Sequence, residues 1–369
     1  MKKLFALLLA LTLLLGCVGL ASAEDKVGAD EALIAAAKEE GTLTVYGSCE
    51  ENYLNAACDH FEELYGIKVE RQRKSTNEVP GMISEELGSD LAGSPSADVW
   101  FGGTNGPYDE AIPTGILDNS YVPANASHLS RDMYKNPEGY WYGIYTGILG
   151  IMVNKDELAR KELAVPETWD DLLKPEYKDL IWLSNYKTAG TARTFVNLIL
   201  QMKGQEDGIK YLVDLDKNIQ VYTKSGSGPS KNVGIGQCTI GIGFLHDGIS
   251  QILDQGYDNI QLIIPKDGTT CEIGPVAIFK NAKHPNAAKL FMEYALSPEC
   301  VELAAQNESY QFLVLDNAKQ PEAAAEFGLD LSAVWEGYDF AKAAADGKAN
   351  VELVMEALGE AADDRFQTE

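Results

Sequence analysis

The sequence predicts an α/β protein with a largely parallel sheet, and three observations predict it. Short apolar or alternating runs take turns with longer stretches whose apolar residues recur at helical spacing. Four of the strand-like runs stop at small polar residues where a helix opens: Gly47-Ser48, Gly102-Gly103-Thr104-Asn105, Thr188-Ala189-Gly190-Thr191 and Ser225-Gly226-Ser227. The chain has 369 residues, 45% of them hydrophobic, enough for a large core and for two domains.

Taken in order, residues 24–30 are polar and read as a tether, and 31–40 as an Ala-rich helix ended by Gly41. Strand 43–46 leads to helix 53–65, strand 67–71 to helix 79–91, and strand 97–101 to a helix opening at 107. Residues 141–154 form a long extended run, after which Asn154 caps a short helix. Thr168 caps 169–173, strand 180–183 precedes helix 192–202, and helix 207–215 precedes strand 219–222. Residues 230–236 form a short helix. The run 239–244 is a buried strand whose Gly241 and Gly243 admit a close neighbour, and it stops at His246-Asp247. A His-Asp pair at a strand's carboxyl end is where open α/β sheets place ligands. Asp247 could equally be a plain N-cap for helix 249–255. Strand 260–264, a Gly/Thr loop 265–274 carrying Glu272, strand 275–279 and helices 285–296 and 298–306 follow, with Ala-rich helix from Ser332 onward.

The N-terminus reads as an export signal: Lys2 and Lys3, an apolar run over 4–15, then small residues. Leu14-Leu15-Gly16-Cys17 resembles a lipoprotein box and Ala21-Ser22-Ala23 an ordinary cleavage site; a cysteine ending the run favours the first. Residues 1–23 are assigned to the export signal, with a lipid on Cys17 if the first site is used, and either way the protein works outside the cytoplasm, where disulfides are permitted. Cys238 with Cys271 is the preferred bridge and Cys49 with Cys58 the second, leaving Cys300 free. The histidines are scattered and C-x-x-C is absent, so no metal and no cofactor are expected. With 56 acidic against 30 basic side chains, nucleic acid is a poor partner. That charge is spread along the chain as a solvated surface and leaves room for a local anion site.

Each polar strand end taken alone is a helix cap. Together they offer unpaired N–H groups and partial positive charge to one anion, with no Lys or Arg required. Enzyme motifs are absent: no G-x-S-x-G elbow, phosphate-loop lysine or H-E-x-x-H. Adjacent His246 and Asp247 rarely orient as base and orienter, which leaves an extracellular hydrolase as a remote alternative.

Leu43-Thr44-Val45-Tyr46-Gly47-Ser48, Ala97-Asp98-Val99-Trp100-Phe101-Gly102-Gly103, the run 143–150, Thr188-Ala189-Gly190-Thr191-Ala192, Tyr222-Thr223-Lys224-Ser225-Gly226-Ser227 and Ala287-Ala288-Lys289-Leu290-Phe291 occur in that order. In this the chain resembles the extracellular solute-binding proteins of bacterial ABC importers, the branch that holds ferric-iron, aminoethylphosphonate and sugar-phosphate binders. The resemblance covers residues 41–306. It implies a type II periplasmic-binding-protein-like fold, a ligand cleft between lobes joined by hinge strands, and a monomer that docks on an ABC permease. The expected lobes are 24–128 with 265–306, and 129–264 with 307–369, crossing near 123–136 and 263–274. Ferric binders of the branch carry an adjacent Tyr-Tyr pair where this chain has Phe244-Leu245-His246-Asp247, which argues against iron. Sugar-phosphate binders are similar in a His-Asp at this turn and a Glu in the next loop, matched by His246, Asp247 and Glu272, groups suited to hydroxyls. The resemblance thus implies a small anionic ligand, a sugar phosphate or phosphonate, with Ser48, Gly103, Thr104, Asn105, Thr188, Gly190, Thr191, Ser225 and Gly226 around the phosphate. Ferric ion and a polyamine are the alternatives.

Overall fold

The computed structural model describes residues 28–88, 90 and 92–359. The expected export signal and its two cleavage sites lie outside these residues. The strands are β1 Thr42–Gly47, β2 Lys68–Arg73, β3 Val99–Phe101, β4 Leu117–Asp118, β5 Tyr142–Asn154, β6 Ile181–Ser184, β7 Ile219–Thr223, β8 Ile240–Phe244, β9 Ile260–Ile263, β10 Cys271–Phe279 and β11 Phe312–Leu313. The helices used below are α1 Glu31–Glu40, α2 Glu51–Tyr65, α3 Asn105–Ala111, α4 Lys155–Arg160, α5 Gly190–Lys203, α6 Gly228–Val233, α7 Leu245–Leu253 and α8 Phe340–Leu358.

The strands run β2-β1-β3-β10-β5-β8-β6-β7 through one continuous path. β1 pairs with β2 and β3 in parallel, and β6 with β7 and β8, as the alternation of strands and helices predicts. The antiparallel pairs all involve the two long strands β5 and β10. Residues 142–148 of β5 pair with β10 and β11, while its residues 149–154 pair with β8 and β9. Both faces of each half are covered. Val45, Phe101 and Ile278 face one cluster and Tyr46, Trp100 and Ala277 another, the period-two alternation of strands buried on both sides. Leu149, Ile151 and Ile242 face a third cluster, and Ile148 and Met152 a fourth.

We infer that the lobes divide inside β5, between Ile148 and Leu149, and again just ahead of β10. This inferred division differs from the boundary expected at 128/129. Tyr134, in the stretch where the crossing was expected, packs with Trp141 and Ile273 in a first-lobe cluster. The chain instead crosses in mid-strand, where thirteen consecutive buried residues carry no turn chemistry to betray it. The segment after 307 is likewise shared: Leu313 and Leu315 pack in the first lobe, Val351 and Val354 in the second.

Three other expectations are corrected. All five described cysteines are free and buried, so neither expected bridge forms. Cys238 lies in the cluster of Val233 and Ile249, which Cys271, at the opening of β10, does not join. Cys49 and Cys58 are separate thiols of the first-lobe core. Glu272 is not in a loop but in β10, opposite Gly147. Asp247 is not an N-cap: α7 already begins at Leu245, and Phe244 is its N-cap residue.

Candidate functional site

Five helices begin at one place. Glu50, Thr104, Ala189, Ser227 and Phe244 are the N-cap residues of α2, α3, α5, α6 and α7, and all five line a single cavity between the lobes. None of the five uses its side chain as a cap. Elsewhere Asp30, Asn154 and Asp339 do cap α1, α4 and α8. No side-chain cap therefore competes with a ligand at these helix starts, although Pro107 and Pro229 carry no N–H and the Gly228 N–H already donates to the Ser225 carbonyl at 3.1 Å.

Ten of the twelve residues named from the sequence meet here: Ser48, Gly103, Thr104, Gly190, Thr191, Ser225, Gly226, His246, Asp247 and Glu272 all line the cavity. Two do not. The Asn105 amide turns away and donates to Asp109 at 3.4 Å, and the Thr188 hydroxyl donates to the Lys224 carbonyl at 2.8 Å on the exposed side. Sequence reasoning missed Glu50, Arg73, Ser75, Thr76 and Gln311, which also line it, as do Tyr145 and Ser227, the latter read only as the close of its polar strand end.

Glycines let the walls close. A Cβ on Gly190 would stand 2.2 Å from the Thr104 hydroxyl, and one on Gly226 2.2 Å from the Thr191 hydroxyl. Gly102 and Gly103 have φ of 77° and 94°, conformations a side chain rarely adopts. The Gly103 N–H donates to the Tyr145 hydroxyl at 2.7 Å, which ties this loop to β5. The indole N–H of Trp100 donates to the Ser48 hydroxyl at 3.0 Å and fixes it. The lobes touch: Lys231 Nζ is 3.5 Å from Glu50 Oε2, and Arg193 Nη1 is 2.6 Å from Glu110 Oε1.

The cavity holds cationic and acidic groups together. Beside the hydroxyls is the Arg73 guanidinium, whose Nε donates to the Cys49 carbonyl at 2.9 Å. In the same cavity His246 Nε2 lies 3.4 Å from Asp247 Oδ1 and 3.7 Å from Glu272 Oε1, while Nδ1 is buried without a hydrogen-bond partner. Burial pushes the imidazole down to about 4, against the opposing pull of Glu50, so it is neutral near pH 7. Burial and then the Glu50 charge raise the Asp247 carboxyl. Burial, then Asp247 and Glu50, raise Glu272. Burial also works to raise Glu50, but Lys231, Arg73 and a hydrogen bond from Ser227 outweigh it and hold that carboxyl below its ordinary range. A neutral imidazole, which donates from one nitrogen and accepts at the other, beside two carboxyls that accept, matches alcohol hydroxyls. Among the described residues the ionisable side chains nearest His246 Nε2 are Asp247 and Glu272.

A family model of bacterial extracellular solute-binding proteins matches residues 94–343. The chain belongs to this family. Its members are the extracytoplasmic substrate-binding components of ABC importers, and the fold is the type II arrangement of periplasmic binding proteins. An uncharacterized protein of Haemophilus influenzae is 34% identical over 301 residues, covering 79% of this chain and 84% of its own. The periplasmic binding protein AfuA of Actinobacillus pleuropneumoniae, solved with exogenous fructose-6-phosphate bound, is 30% identical. It superposes with a TM-score of 0.78 over 89% of this binding protein and 99% of its own chain. The apo ferric ion-binding protein A of Pasteurella haemolytica is 18% identical, with a TM-score of 0.71 over 86% and 98% of the two chains, and shares the fold. No helix among the described residues of this binding protein is long and apolar enough to cross a membrane.

Proposed function

We propose that the protein captures a small phosphorylated organic solute, of the sugar-phosphate kind, between its lobes and delivers it to an ABC permease. The phosphate sits among the hydroxyls of Ser48, Thr104, Thr191 and Ser225, the first N–H groups of α5 and the Arg73 guanidinium, the cation absent from the sequence reading. Hydroxyls of the organic part bond to His246, Asp247 and Glu272. The observation that carries this reading is one cavity that gathers anion-binding groups with a buried imidazole whose Nε2 faces two acids and whose Nδ1 has no hydrogen-bond partner. The fructose-6-phosphate bound to the AfuA relative supports it. The role is capture without chemistry. Contacts to both lobes favour the closed state, and charge-assisted hydrogen bonds supply most of the difference in affinity between open and closed forms.

A cationic solute such as a polyamine is the second reading, favoured by the three carboxyls Glu50, Asp247 and Glu272 around one cavity. Ferric ion fits less well. Tyr145 is the tyrosine on the cavity wall, and its hydroxyl is already bonded to Gly103. Calorimetry with fructose 6-phosphate, inorganic phosphate, aminoethylphosphonate, ferric citrate and putrescine separates these. Fructose 6-phosphate is expected to bind at about 1 μM or tighter. Tight putrescine or iron binding with no response to any phosphate or phosphonate overturns the proposal.

A further inference from the structure

The cavity does not end at the phosphate-binding groups. Past them lies a chamber of about 820 Å³, against about 60 Å³ for the inner cavity, and the two share Arg73, Ser75 and Ser225 as common wall. His246, Asp247 and Glu272 line only the inner one. The larger open space beside the cavity thus adjoins it at Arg73, Ser75 and Ser225. Arg73 and Lys74 reach the chamber from the first lobe, and Lys224 and Trp182 from the second, so it is completed only when the lobes meet.

Its charge runs against that of the whole chain. Acidic side chains outnumber basic ones 56 to 30, yet the chamber wall carries Arg73, Lys74 and Lys224 against the single carboxylate of Glu78. No ion pair among the described residues engages any of these three cations. Lys74 Nζ lies 5.7 Å from the centroid of the Tyr46 ring, and the Trp182 indole is held by its N–H bond to Gln220 at 2.7 Å. Lys74 and Lys224, outside any ion pair among the described residues, raise the local concentration of anions in this concavity and hold them more strongly as closure removes water. A flat indole beside them suits a ring.

We propose that the chamber is a second anion subsite, and that the phosphate in the inner cavity is a linking one. The solute is then a sugar or polyol joined through a diphosphate to a further group. The first phosphate lies at the helix N-termini and the second between Lys74 and Lys224, with the group beyond it, a sugar or a base, against Trp182. This inference rests on the phosphate reading given above and narrows its substrate class.

Calorimetry on the full chain with glucose 1-phosphate and UDP-glucose tests it, beside the Lys74→Gln/Lys224→Gln double variant, whose fold is checked by its melting curve. UDP-glucose is expected to bind at least about tenfold more tightly than glucose 1-phosphate. In the double variant that advantage falls to about threefold or less, while glucose 1-phosphate affinity stays within about twofold. Trp182→Phe is expected to lower UDP-glucose affinity alone. If glucose 1-phosphate binds and UDP-glucose binds no better, or if the advantage survives loss of both lysines, the second subsite is overturned and the phosphate reading stands. If neither compound nor fructose 6-phosphate binds, both fall together.

Discussion

Replacing Gly190 by Ala tests whether the lobes close as the structure shows them. The new Cβ would stand 2.2 Å from Thr104 Oγ1, 3.0 Å from its Cγ2 and 3.1 Å from its Cβ. Rotating the threonine can turn its hydrogen toward the new methyl, but its Cβ stays at 3.1 Å and a heavy branch remains at about 3 Å, so full relief requires the lobes to move apart. Overpacking of this kind costs about 1–3 kcal/mol. Because Gly190 and Thr104 belong to different lobes, the cost falls on the closed state, and solute affinity should drop about 5- to 150-fold. The fold itself should not suffer. Gly190 opens α5 without a positive φ, and Ala is the better helix former by up to about 1 kcal/mol. The assay is calorimetric titration of fructose 6-phosphate together with the melting temperature of the solute-free protein. Adding Thr104→Ser, which keeps the hydroxyl and removes the Cγ2 branch, should restore part of the affinity. Unchanged affinity would refute the argument, and so would a fall of more than about 4 °C in the solute-free melting temperature, since it would place the clash within a lobe.

Other outcomes follow from the same cavity. Arg73→Gln should weaken binding of any phosphate-bearing solute by about 10- to 100-fold in the same titration, the size of a lost charge-assisted hydrogen bond. Glu272→Gln should do two opposite things: raise the solute-free melting temperature, by removing a carboxyl crowded by Asp247 and Glu50, and weaken a hydroxyl-bearing solute by about 1–3 kcal/mol. His246 sets an acid limit. Its folded value of about 4 lies below the ordinary 6.5, so between them the unfolded chain binds more protons and stability falls as pH falls through that window. The loss amounts to at most about 3 kcal/mol. His246→Gln should flatten the melting curve's pH dependence between about 6.5 and 4.

Much of this was legible along the chain because its physics is local. The strand-then-helix alternation, the Gly, Ser and Thr residues at strand ends and the long run into Asn154 are read from residues a few positions apart. Asn154 caps its helix through bonds of 3.1 and 3.0 Å to Asp156 and Glu157, and helix 31–40 occupies the expected residues. The candidate site was legible in part for the same reason: hydroxyl-bearing residues ahead of helices carry their chemistry in their immediate neighbours. Glu272 escaped correct placement because Gly-Thr-Thr-Cys ahead of it reads as loop, whereas pairing with β5 makes the stretch from Cys271 a strand.

The sequence alone determined the fold class, the family resemblance and most of the groups that could hold an anion. Only the folded chain decided which of them share a space. Arg73 ends a strand whose side chains alternate between buried and exposed positions, and by itself it reads as one more solvated charge. β1 pairing carries that strand's end to the cavity, where the second lobe closes over it. Tyr145, Gln311 and Glu50 come from segments far apart in the chain, and nothing near any of them announces the others. Lobe boundaries and thiol pairing are of the same kind. They depend on distances between residues remote in sequence, which the burial of both sheet faces fixes and which no local spacing encodes.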